Sequence, residues 1–100
     1  MPGLAISVPH KLGTAAAVQR LTTFLDAVRR DYGDQLSDVR GGWEGSTLQF
    51  AFTTYGMAIQ GMLKVEDAAV NVDGKLPLAA ALFRGQVEKT IRDELLKLLS

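Results

Sequence analysis

The residues able to do acid–base or ligand chemistry in this chain are few and scattered. His10 is the sole histidine, in Val8-Pro9-His10-Lys11-Leu12-Gly13. A histidine can act as a general base or bind a metal near neutral pH. As a base it needs a carboxylate partner and a nucleophile. As a ligand it needs two or three companions at metal-site spacing. Neither set stands at recognisable spacing, so His10 is read as structural, bonding loop backbone as buried polar groups do. An enzyme using His10 with a loop carboxylate is the least favoured reading. Asp31, Asp34, Asp38 and Glu44 are read as solvated loop positions, without the alternating acids and closing glutamate of a calcium loop. Gly41-Gly42 and Gly45 do not lead a strand into a helix, so they are not a phosphate loop. No nucleophile elbow is present. Trp43 could be an exposed recognition residue, but covering one end of the core is the favoured reading. These residues call for no catalytic site, no metal and no cofactor.

Composition narrows the partners. The 100 residues carry 11 basic and 11 acidic side chains, a net charge of zero. A nucleic-acid binder normally shows excess positive charge, as does a polybasic membrane anchor. Neither is expected. Zero net charge leaves little repulsion between copies. There is no cysteine, which excludes disulfides, thiolate catalysis and cysteine zinc sites. The first residues lack a basic region and a long apolar core, so no secretory leader is expected there. No apolar run approaches the ~20 residues of a membrane span. The expected location is the cytoplasm.

The elements that would position these residues follow from periodicity. Leu4, Ile6 and Val8 alternate with Ala5 and Ser7, a half-buried strand ended by Pro9. Gly13-Thr14 offers a helix start, with the threonine hydroxyl accepting from an orphan N–H. Val18, Leu21, Leu25, Val28 and Tyr32 recur at helical spacing, widened by Ala17 and Phe24, and Gly33 stops the helix. Four strands follow: Val39–Trp43, then the runs through Leu48-Phe50-Phe52, Ile59-Gly61-Leu63-Val65 and Val70-Val72. Their short connections imply antiparallel neighbours. Pro77 suits the first turn of a closing helix. Its stripe is Ala80, Phe83, Val87, Ile91, Leu95 and Leu98, with exposed pairs Glu88–Arg92 and Asp93–Lys97. Gly85 marks a kink or a close contact. The expectation is one α+β domain over residues 1–100, a five-stranded antiparallel sheet with two helices on one face, in the order β-α-β-β-β-β-α. Residues 1–3 and the last one or two should fray. Phe50, Ile59, Val70, Leu21, Leu25, Phe83, Val87 and Ile91 should be buried together.

The closing helix carries leucines off its main stripe: Leu78, Leu82, Leu96 and Leu99. With Ala51, Ala58, Met62 and Ala69 on the outer sheet face, they are read as an apolar contact surface.

Several motifs, taken in order, resemble a known family. They are Ile6-x-Val8-Pro9-His10-Lys11-Leu12-Gly13, then Trp43-Glu44-Gly45-x-x-Leu48-x-Phe50, then Ile59-x-Gly61. Leu76-Pro77-Leu78 and Phe83-Arg84-Gly85-x-Val87-Glu88 complete the set. Together they resemble the putative polyhydroxyalkanoic acid system proteins, encoded near genes for bacterial polyester granules, over about residues 4 to 99. The resemblance implies a role in polyhydroxyalkanoate metabolism or granule organisation and no established reaction. The fold is also similar to a shortened helix-grip domain, an analogy that carries no function by itself.

The leading expectation is a non-enzymatic accessory protein of that storage system, binding a granule protein or the granule surface. The binding residues would be His10, Trp43, Met62, Leu78, Leu82 and Leu96. A homodimer is expected from the same apolar surface. The alternative is a small apolar ligand site of helix-grip type, holding an acyl chain between sheet and closing helix.

Overall fold

The computed structural model describes residues 3–100. The expectations for residues 1 and 2, a frayed start with no leader, lie outside the described residues. Strands β1 (Gly3–Pro9), β2 (Leu36–Glu44), β3 (Thr47–Thr54), β4 (Met57–Val65) and β5 (Ala69–Lys75) form one antiparallel sheet. The strand order is β1-β5-β4-β3-β2. Helices α1 (Thr14–Leu21) and α2 (Phe24–Tyr32) carry the chain from one sheet edge to the other. The β2–β5 meander then returns, and β5 pairs with β1. A 3-10 segment (Leu78–Phe83) leads into the closing helix α3 (Arg84–Leu99). This is the expected α+β order, with each helix in two pieces.

Alternation decides the inner face. Leu4, Ile6, Val8, Leu48, Phe50, Phe52, Ile59, Leu63, Val65, Val70 and Val72 are buried there beneath the helices. One register row sets the shape of this face. Leu4 pairs with Gly74, Gly74 with Gly61, Gly61 with Phe50, and Phe50 with Gly41. A Cβ on Gly61 would lie 2.6 Å from Phe50 Cζ and 2.7 Å from the Asp73 carbonyl. The phenyl ring therefore occupies the space that a side chain at 61 would need, an aromatic covering a strand glycine.

Both free edges are guarded by helix side chains. The Ala5 N–H on β1 donates to Glu88 Oε2 of α3 at 3.3 Å, and Arg84 holds Glu88 at 3.6 Å. On β2, Arg29 of α2 donates to the Val39 carbonyl at 2.6 Å, beside a register irregularity between Ser37 and Arg40. Engaged edge groups and irregular strands oppose pairing with another sheet.

Several expectations are corrected. The first helix breaks at Thr22-Thr23, where the Thr22 hydroxyl donates to the Gln19 carbonyl at 2.8 Å, a side-chain bond that competes with helix continuation. Phe24 and Ala27 turn inward, and Leu25 is only partly buried. The closing helix changes geometry at Phe83, not at Gly85. A 3-10 segment advances about 120° per residue instead of 100°, so Phe83 leaves the stripe and is 41% exposed. Leu99 is buried and Leu98 only partly so. The ion pairs run the other way along α3, as Arg84–Glu88 and Lys89–Asp93. β2 is longer than expected, Gly3 is already paired, and Ser100 N–H continues the helix bonding to Leu96.

Gly61→Ala should lose about 1–3 kcal/mol of stability in urea unfolding, because the new methyl overpacks against Phe50. Gly85→Ala, which meets nothing within 4 Å, should be neutral or gain up to about 1 kcal/mol. Equal stabilities for the two variants would contradict the packing of Phe50 over Gly61.

Candidate functional site

His10 sits where β1 leaves the sheet, and its ring joins two loops. Nε2 donates to the Glu66 carbonyl at 2.9 Å, and Nδ1 accepts from the Leu12 N–H at 3.1 Å. Its backbone N–H donates to the Ala68 carbonyl at 2.9 Å. Both ring nitrogens are thus occupied by backbone in the Nε2–H tautomer. The neighbouring Asp67 caps α1: Oδ1 accepts from the Thr14 N–H at 3.2 Å and the Thr14 hydroxyl at 2.6 Å. Those bonds hold the Asp67 carboxyl below its ordinary pKa. Thr14 was expected to accept at this cap; its hydroxyl donates instead, and the acceptor comes from the β4–β5 turn. Among the described residues, no three His, Cys, Asp or Glu side chains gather as a metal site.

Trp43 is partly buried and packs against the core, opposite Leu48 in the β2–β3 register. The carboxylates do not all lie on loops. Asp31 ends α2, Asp38 and Glu44 lie in β2, and Asp34 is in the turn. Asp31 is drawn into a cluster that the sequence reading missed. Glu94, only 1% exposed, gives Oε1 to Lys97 Nζ at 3.1 Å. Lys97 Nζ also lies 3.5 Å from Asp31 Oδ2, and Arg30 donates to Asp31 at 3.1 Å. A signal was present: Glu94 stands three residues after Ile91, in phase with the buried stripe.

The proposed apolar surface does not form as one patch. Met62, 38% exposed, lies on the outer sheet face between its register partners Gln49 and Asp73. That face is a shallow trough whose lining includes Arg40, Gln60, Lys64 and Lys75. Leu96, 48% exposed, lies near the far end of α3, roughly 18 Å along the helix from its start at the usual rise per residue. Leu78 and Leu82 alone share an element. They are 81% and 92% exposed, in a 3-10 segment whose only buried side chain is Ala80. Phe83 extends this surface by stacking on Tyr55, with ring centroids 5.5 Å apart. Tyr55 was not singled out from sequence. It occupies the β3–β4 hairpin at φ 52° and is followed by Gly56 at φ 75°. A bulky side chain in the left-handed region is strained, and such strain persists where the surroundings or a function hold it.

Beneath the Tyr55–Phe83 pair, α2 and α3 enclose a small apolar cleft over β2 and β3. Phe24, Val28, Phe52, Val87 and Ile91 line it, and its volume is about 40 Å³. Among the described residues, no helix is long and apolar enough to cross a membrane.

These features define an α+β scaffold with a polar open sheet face, guarded edges and one protruding apolar segment. The chain belongs to the family of putative polyhydroxyalkanoic acid system proteins, whose model matches residues 4–99. No curated protein and no solved structure matches the chain. The motifs quoted above now have physical reasons. Phe50 covers Gly61, Trp43 faces Leu48, His10 ties two loops, and Glu88 guards the β1 edge.

His10→Ala should cost about 1–3 kcal/mol, since a methyl group can bond neither the Glu66 carbonyl nor the Leu12 N–H. Calorimetric titration with zinc should give no stoichiometric binding in wild type or variant. Zinc binding that disappears in the variant would make His10 a ligand instead.

Proposed function

We propose that this protein is a non-catalytic, cytoplasmic accessory protein of the polyhydroxyalkanoate storage system, acting by binding through Leu78 and Leu82 at the granule surface. The observation that carries this reading is the near-complete exposure of both leucines on one short segment anchored by Ala80. Tyr55 and Phe83 extend the same surface. A polyester surface is apolar, and each leucine transferred from water onto it contributes roughly 1.5–3 kcal/mol. Two leucines with an aromatic flank can hold a protein on such a surface without a covalent anchor. Met62 belongs to the outer sheet face and Leu96 to the far end of α3, and neither is assigned to this contact. His10 and Trp43 support the scaffold and do not touch the partner. In the absence of granules the same leucines pair two copies as a closed homodimer, favoured by the zero net charge.

The acyl-ligand reading is weaker. The cleft under α3 encloses about 40 Å³, well short of the ~300 Å³ at which ligand pockets begin.

The test is sedimentation with isolated granules, comparing wild type with Leu78→Glu and Leu82→Glu after circular dichroism confirms their folds. Wild type should pellet with granules, and the double variant should remain in the supernatant. Equal pelleting of wild type and the folded double variant overturns the assignment of the contact. Pelleting only with protein-coated granules, and not with protein-stripped ones, makes the partner a granule protein.

A further inference from the structure

Glu94 is the sole buried ionisable side chain among the described residues, and the binding reading makes no use of it. We infer that Glu94 is a latch: a neutral carboxyl group that holds α2 against α3, and that loosens this seam when it gives up its proton.

Glu94 Oε1 is bonded by Lys97, but Oε2 is buried with no hydrogen-bond partner. A carboxylate with an orphaned buried oxygen carries a large desolvation cost, whereas a neutral carboxyl carries much less. The charges that face Glu94 are Asp31 and Arg30 from α2, and Lys97 from its own helix. β1 turns only Leu4, Ile6 and Val8 toward the helices. From α1, Arg20 is committed one turn further on, to the carbonyls of Leu98 and Ser100. With Glu94 neutral, the single negative charge of Asp31 is shared by Arg30 and Lys97. With Glu94 ionised, two carboxylates face each other across the seam, one of them out of water, and repel.

Burial first, and the facing Asp31 second, push the Glu94 carboxyl above the ordinary carboxylate range. The Arg30 hydrogen bond, the largest cause, holds Asp31 down at about 2. The two groups act with opposite signs. Stability from ionised Asp31 is present above its ordinary value of 3.8 and is lost as pH falls toward 2. Stability from protonated Glu94 is present in acid and is lost as pH rises through its raised pKa.

Asp31 lies one residue from Tyr32, and Glu94 three from Ile91; both neighbours line the apolar cleft. Release of the seam therefore widens that cleft and bares Phe24 and Phe52 to a solvent probe.

Amide hydrogen exchange, read as protection factors from about pH 5 to about pH 9, tests the latch. In wild type, protection over residues 28–32 and 91–97 should fall by about tenfold or more as pH rises, while residues 59–63 of β4 stay protected. Binding of the apolar dye ANS should rise with the same midpoint. Glu94→Gln keeps a neutral, isosteric side chain and should abolish both changes. Asp31→Asn removes the facing charge and should move the midpoint to lower pH. A flat wild-type profile, an unchanged transition in Glu94→Gln, or a midpoint in Asp31→Asn that fails to move down would each overturn the latch. Should Glu94→Gln fail to fold, the wild type and Asp31→Asn decide the matter.

Discussion

A five-stranded sheet with one apolar face and two free edges must have that face covered and those edges guarded. The rest of this structure depends on meeting that constraint within a single short chain. α1, α2 and α3 cover the face, while Glu88 and Arg29 engage the outermost strands. The side chains that fix the helices come from distant parts of the chain. Asp67 caps the start of α1 from the β4–β5 turn, and Arg20 of α1 bonds carbonyls at the end of α3. A cation at a helix C-terminus and an acid at an N-terminus both complement the helix dipole. α1 and α3 are thereby each held at one end by an element other than themselves.

The sheet shows how strongly a row of small residues can shape a surface. Phe50 and Leu4 spread over glycines on adjacent strands instead of standing between larger neighbours. The cleft left between the helices and the sheet is small. A scaffold filled in this way has little interior to offer a ligand, and in the proposed function the contact falls to what projects from it. The 3-10 segment is that projection. Pro77 sets its start, Ala80 pins it, and the change of helical pitch at Phe83 points its large side chains outward.

Much of the fold was legible in the sequence because its signals are local. Alternation at Leu4-Ile6-Val8 and Leu48-Phe50-Phe52 marks strands, and helical spacing from Val18 to Tyr32 and Val87 to Leu95 marks helices. The misses are of two kinds. A 3-10 segment wound about 20° per residue tighter than an α-helix turned Phe83 out of the core, and no composition signal announces it in Leu78–Phe83. The other misses are long-range pairings: Asp67 with Thr14, Asp31 with Glu94, Arg20 with the end of α3. Spacing along one element cannot reveal a partner fifty or more residues away. For the site, exposure of Leu78 and Leu82 was legible from their phase, and the backbone role of His10 from its isolation. The grouping with Met62 and Leu96 was not, because it depends on which face and which end of the molecule each occupies.

In the proposed function one projecting apolar segment, and no concave site, makes the contact. Hydrogen exchange of the folded protein with and without isolated polyhydroxyalkanoate granules tests it most directly. New protection is expected only at residues 78–83 and the Tyr55 hairpin, with the outer sheet face around Gln49, Gln60 and Met62 unchanged. Protection of that sheet face with residues 78–83 still exchanging freely would contradict it.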